Sequence, residues 1–123
     1  MWTDLQLHVL IDYRKDNNNE YHELVCNQKG MFWKGIASKI NIEFGTSYTG
    51  QQCKEKFNGL LRDYKKMKLY IEGNANGKKT RTGIKYYEEF ATQFWLKPVI
   101  MYDLIRMQNI ANHDNQDSPS QYK

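Results

Sequence analysis

The chain has 123 residues, enough for one small domain and a tail, and it is 40% hydrophobic and 14% aromatic. Eighteen Lys/Arg against fourteen Asp/Glu give a net charge of +4, and the absence of any run of about 18 apolar residues excludes a membrane-spanning helix. Two cysteines with no signal-peptide pattern point to a reducing, intracellular setting rather than a disulfide scaffold.

Leu5, Val9, Leu10 and Tyr13 recur at helical spacing, which predicts a first helix from Thr3 to Lys15 just after Trp2. Asp16-Asn17-Asn18-Asn19 breaks it, because Asn competes for backbone hydrogen bonds. Tyr21 to Val25 reads as a short helical turn and Asn27 to Gly30 as a second loop. A second helix is predicted from Met31 to Phe44, with Trp33, Ile36, Ala37, Ile40 and Phe44 on its apolar face and Gly45 closing it.

Thr46-Ser47-Tyr48 then leads into the best-defined segment of the chain. Thr49 and Gln52 form a Thr-x-x-Gln capping box, so a third helix starts there and runs to about Ile71, with Gly73 as its stop. Cys53, Phe57, Leu60, Tyr64, Met67 and Ile71 make one continuous apolar stripe. On that stripe Cys53 is a small core residue rather than a nucleophile. Gln51, Glu55, Asn58 and Arg62 lie nearly opposite, flanked by Lys54, Lys65 and Lys66. A helix, a tight polar turn and a helix with amides and cations near its start form a helix-turn-helix arrangement.

Glu72 to Gly83 holds Gly, Asn and charge with nothing to bury, so it is expected to be a mobile loop. Ile84 to Trp95 resumes a helical pattern on Ile84, Tyr87, Phe90, Ala91, Phe94 and Trp95, and Lys97-Pro98 ends it. Val99 to Ile110 has the pattern of a fifth helix, whose apolar face would cover the domain or bind a protein partner, including a second copy. From Asn112 the composition turns polar, as expected of a disordered tail.

Charge is distributed unevenly. Thr49 to Lys85 carries ten Lys/Arg against three Asp/Glu, a net of +7, and the rest carries eight against eleven, a net of −3. A basic segment set against a slightly acidic remainder is the footprint of a polyanion-binding surface. Catalysis finds no support: the three His are scattered, His22 and Cys26 lack further ligands for a metal, and no phosphate-cradling glycine motif is present.

Trp2, Trp33 and Phe57 each mark one of three successive helices. The third ring lies within Gln52-Cys53-Lys54-Glu55-Lys56-Phe57 and is followed by Leu60 and Tyr64. This pattern resembles the Myb/SANT-like DNA-binding domains of the trihelix type, over about Trp2 to Trp95. In such domains the third helix often reads Gln-Cys-(Lys/Arg)-x-Lys-(Trp/Phe), and one ring from each helix meets in the core. Tyr86-Tyr87-Glu88-Glu89-Phe90 is similar to the aromatic helix that trihelix proteins add after a variable loop. The long Asp16–Gly30 connection also favours that branch, while Phe57 departs from the commoner tryptophan.

The resemblance implies an all-α fold: a three-helix helix-turn-helix bundle with an added fourth amphipathic helix over residues 1–97, an extra helix at 98–111 and a disordered tail at 112–123. It implies sequence-specific binding of double-stranded DNA in the nucleus, by a transcription regulator or a transposon-derived protein, with no cofactor. Gln51, Glu55, Asn58 and Arg62 would face base edges, with Asn suited to adenine and Arg to guanine. Lys54, Lys65, Lys66, Lys78, Lys79 and Arg81 would face phosphates. The competing expectation is a SANT-type protein-interaction module of a chromatin complex.

Overall fold

The structure is a computed structural model that describes residues 1–98; the expected fifth helix at Val99–Ile110 and the 112–123 tail lie outside the described residues. The chain runs through α1 (Asp4–Asp16), α2 (Asn18–Glu23), α3 (Cys26–Phe44), α4 (Gly50–Ile71), α5 (Arg81–Lys85) and α6 (Tyr87–Ala91). The architecture is all-helical, and α1, α3 and α4 are the three predicted long helices.

Thr3 starts α1 through a capping box. Its hydroxyl accepts from the Gln6 N–H at 3.2 Å, and the Gln6 side chain accepts from the Thr3 N–H at 3.1 Å. The buried face of α1 is rotated from the one expected: Gln6, Leu7, Leu10, Ile11 and Arg14 are inside, whereas Leu5 is 64% exposed. Two polar residues cause the difference, since each is inside on account of its partners. Gln6 accepts from the Tyr48 hydroxyl at 3.0 Å. Arg14, only 4% exposed, donates to Asn18 and places its guanidinium 4.0 Å from the Tyr21 ring centroid and 5.3 Å from that of Phe57. Burial lowers the Arg14 pKa to about 10, so it remains a cation at neutral pH.

Both α2 and α3 begin earlier than the sequence predicts. The Asn27–Gly30 stretch is helical, and Gly30 and Gly35 stand on an open side of α3 with no atom within 4 Å of a Cβ built there. The helix-weakening residues thus sit where they cost only local propensity. Trp33, Ile36, Ala37 and Ile40 carry the burial of α3, as expected.

Helix α4 is the hub, packing on α1, α3, α5 and α6. Cys53, Phe57, Leu60 and Tyr64 are buried, whereas Met67 is half-buried and Ile71 exposed, because the helix outruns the core. Desolvation raises the Cys53 thiol to about 11, which suits a core residue. The expected trio of rings forms only in part. Trp33 and Phe57 approach to 5.9 Å, but Trp2 stacks on Tyr48 at 4.0 Å. Phe90 meets Phe57 at 5.6 Å and Tyr64 at 6.1 Å, so the aromatic core is extended from the C-terminal side.

The segment after α4 differs most from expectation. The loop expected over Glu72–Gly83 ends at Thr80, where α5 begins, and it turns back along α4, with the Asn74 N–H donating to Leu69 O at 2.9 Å and the Lys78 N–H to Lys66 O at 3.0 Å. Polar backbone, rather than side-chain burial, fixes it. The single helix expected over Ile84–Trp95 is split at Tyr86 into α5 and α6 and ends at Ala91, followed by Gln93 at φ 62°. Tyr86 and Phe90, four residues apart, enter the core on one face while Ile84 and Ala91 stay outside. Gly83 is required where α5 crosses α4, since a Cβ there would stand 3.0 Å from Asp63 O and 3.2 Å from Met67 Cβ. The chain then closes over α2: Asn18 donates to Leu96 O at 2.8 Å, and His22 Nε2 to Trp95 O at 3.0 Å.

Candidate nucleic-acid interface

The α3–α4 turn fixes how α4 is presented. Gly45 ends α3 in the left-handed region at φ 66°. Asn41 then ties down the turn: its Oδ1 accepts from the Thr46 hydroxyl at 2.7 Å and the Tyr48 N–H at 2.8 Å, and its Nδ2 donates to Tyr48 O at 2.8 Å. Tyr48 in turn carries the Trp2 stack and the Gln6 hydrogen bond. Sequence reading missed Asn41, whose only signal was an Asn in the last turn of α3, just before the turn.

The predicted capping box is present. Thr49 Oγ1 accepts from the Gln52 N–H at 3.1 Å, and Gln52 Oε1 accepts from the Thr49 N–H at 2.9 Å. The next residue must be small. A Cβ on Gly50 would stand 2.8 Å from Lys34 N and 3.0 Å from the Trp33 carbonyl carbon, so the first turn of α4 rests directly on the α3 backbone.

Gln51, Glu55, Asn58 and Arg62 are all exposed, on the side of α4 away from Cys53, Phe57, Leu60 and Tyr64. Their spacing puts them within an arc of roughly 60° at 100° per residue. Glu55 is engaged rather than free: its carboxylate accepts from Gln51 Nε2 at 2.9 Å. That bond turns the Gln51 amide and leaves its carbonyl oxygen and second N–H available. Asp63, the other carboxylate in the body of α4, accepts from the Thr82 hydroxyl and so belongs to the α5 contact.

The predicted cations divide into three groups. Lys54, Lys65 and Lys66 flank the stripe and are exposed; the Lys65 ammonium lies 5.4 Å from the Trp95 ring centroid, which steadies its side chain. Lys78 and Lys79 are exposed on the loop that folds back beside Lys66. Arg81 is not brought to this cluster. It stands 3.8 Å from Asp4 at the start of α1, where Lys85 also pairs with Asp4 and holds that carboxyl below its usual range. Two lysines that the sequence tally assigned to the acidic remainder, Lys29 and Lys34 of α3, line a groove with Lys54. Among the described residues, no group of three or more His, Cys, Asp or Glu is placed to hold a metal ion. Within those residues, no helix is long and apolar enough to cross a membrane.

A helix-turn-helix bundle with an aromatic core, a fourth amphipathic segment and a polar, cation-flanked α4 defines a class of nucleic-acid-binding fold. Residues 1–93 match the Myb/SANT-like DNA-binding domain, and the chain belongs to that family. It is similar to the trihelix transcription factor PTL of Arabidopsis thaliana, at 30% identity over 80 residues. That alignment covers 65% of this chain but 13% of the relative, so the chain spans a small part of that protein's length. No solved structure gives a significant match. The family is defined by DNA binding, not by an enzymatic activity.

Proposed function

We propose that the chain binds double-stranded DNA in a sequence-specific manner by laying α4 into the major groove, and that it serves transcription regulation in the nucleus. The observation that carries this reading is the exposed stripe of Gln51, Asn58 and Arg62 on a rigid 22-residue helix, with lysines on both sides. Asn58 suits the N6/N7 edge of adenine, and Arg62 the O6/N7 edge of guanine. Gln51 joins them in an orientation set by Glu55, which makes Glu55 a positioning residue for the amide next to it. Lys54, Lys65 and Lys66 hold the backbone, and Lys78 and Lys79 extend the same cationic border. Support also comes from the family assignment and from the name of the trihelix relative, which is a transcription factor.

With four to six phosphates engaged, log K falls against log salt with a slope of about −4 to −5. Asn58→Ala and Lys65→Ala separate reading from anchoring. Asn58→Ala costs about 1–3 kcal/mol on the preferred site and relaxes preference at one base pair, whereas Lys65→Ala weakens all duplexes alike and lowers the slope by about 1. Fluorescence anisotropy with a preferred and a scrambled duplex measures both. Equal losses on the two duplexes for Asn58→Ala would remove it from base reading. A chain that binds no duplex at low salt would instead favour the protein-interaction alternative.

A further inference from the structure

The first turns of α3 and α4 meet at a groove of about 310 Å³ that shares only Gln51 with the α4 stripe. Lys29 and Lys34 of α3 line it with Lys54 of α4, and no carboxylate does. Among the described residues none of these lysines belongs to an ion pair. The Lys29 ammonium lies 4.8 Å from the Tyr21 ring centroid, which restrains it at the rim. Trp33 also lines the groove; it is 3% exposed, and its indole Nε1 is buried with no hydrogen-bond partner.

Backbone polarity points the same way. Cys26 and Asn27 come from the first turn of α3, and Gly50 and Gln51 from that of α4. Val25, the N-cap of α3, has no side-chain acceptor to offer, and Thr49 satisfies only the Gln52 N–H in the first turn of α4. Two helix N-termini, each equivalent to roughly half a positive charge, therefore converge with three ammonium groups. The groove has room for far more than one water. A tetrahedral oxyanion with its remaining waters fits those dimensions and that charge; an apolar or cationic ligand does not.

We propose that this groove clamps a backbone phosphate of DNA, as an anchor separate from the base-reading stripe. The proposal rests on the DNA-binding reading above and adds Lys29 and Lys34 to it. Gln51 links the two regions, since it lines the groove and also begins the stripe. A strand following α4 would pass from one to the other. The anchor is blind to sequence, because lysines and backbone N–H groups contact phosphate oxygens alone.

The test compares the parent chain, Lys29→Ala/Lys34→Ala, the single charge reversal Lys34→Glu and Asn58→Ala/Arg62→Ala, each confirmed as folded by its thermal melt. Lys34 is exposed, so the charge reversal leaves the core untouched. Anisotropy titrations over a salt series use a preferred and a scrambled duplex. The double lysine variant is expected to lose about tenfold on both duplexes and to lower the salt slope by about 1–2. Cys26 supplies an independent readout. It is exposed at the groove whereas Cys53 is buried, so maleimide modifies Cys26 selectively in the folded chain. A saturating duplex is expected to slow that modification about tenfold.

Unchanged slope and unchanged Cys26 reactivity in a chain that demonstrably binds duplex would overturn the groove and leave the α4 reading intact. Loss of base preference in Asn58→Ala/Arg62→Ala, with Cys26 still protected, supports two separate anchors. A parent chain that binds neither duplex overturns the DNA-binding reading, and the groove assignment falls with it.

Discussion

Gly50 and Gly35 offer a paired test of how α4 is seated on α3. Both are helical glycines, Gly50 where α4 meets α3 and Gly35 on a side of α3 away from that contact, and both would be replaced by alanine. At Gly50 the new Cβ would stand 2.8 Å from Lys34 N, 3.0 Å from the Trp33 carbonyl carbon and 3.1 Å from Lys34 Cα. All three are main-chain atoms inside a 19-residue helix, so they cannot turn aside as a flexible side chain would. Overpacking of that kind costs about 1–3 kcal/mol. A helix-propensity gain of at most about 1 kcal/mol offsets part of it. At the middle of those ranges the net loss is about 1–2 kcal/mol, which lowers Tm by about 4–16 °C in a domain of this size. At Gly35 nothing lies within 4 Å of the added Cβ, and the residue is exposed in the middle of α3. Only the propensity gain of about 0.5–1 kcal/mol applies there, and Tm should rise by about 2–8 °C. Differential scanning calorimetry on the two variants and the parent decides the matter. A Gly50→Ala melt at or above that of the parent would refute the close backbone approach and, with it, the stated presentation of α4.

The remaining predictions concern the core, the turn and pH. Trp33→Ala removes a ring packed on Phe57, Tyr21 and Phe32 and should cost about 3–5 kcal/mol, read as loss of the cooperative melt; an unaltered transition contradicts the aromatic core. Asn41→Ala leaves the Tyr48 N–H, the Tyr48 carbonyl and the Thr46 hydroxyl without their partner and should cost about 1–3 kcal/mol in urea denaturation; no change would show that the turn is held by other contacts. His22 is held below the ordinary value of 6.5, chiefly by desolvation. The unfolded chain therefore takes up the proton first, and stability that is full above pH 6.5 declines as pH falls toward the folded-state value. His22→Gln should flatten the urea midpoint between pH 7 and pH 5.5, and an unchanged pH dependence would exclude His22 as its source.

How far the sequence was legible follows from where each residue's partners lie. Helix α4 could be read nearly to the residue, because a capping box and an unbroken apolar stripe are both local patterns. The burial of Trp33, Ile36, Ala37 and Ile40 was legible for the same reason. On α1 the pattern misled, since Arg14 is buried by a ring of α2 and a ring of α4 and by Asn18, none of which a periodicity window on α1 contains. The break at Tyr86 was hidden because propensity favours one continuous helix and the buried Gly83, Tyr86 and Phe90 keep the spacing of one. The polar stripe of α4 was visible, but the bond from Gln51 to Glu55 was not, because which exposed neighbours pair at i and i+4 depends on their rotamers. Counting charge along the chain placed Lys29 and Lys34 outside the basic segment. Folding sets them beside Lys54, while Arg81, counted inside that segment, turns to Asp4.

Whether α4 reads DNA sequence through its exposed stripe is open to direct selection. Selection from a random duplex library, at two salt concentrations and with the Asn58→Ala/Arg62→Ala variant alongside the parent chain, tests it most directly. An enriched motif is expected for the parent, retained as salt rises while overall recovery drops, with no enrichment of that motif for the variant. Recovery of the same motif by both proteins, or binding by the parent with no motif at either salt concentration, would contradict it.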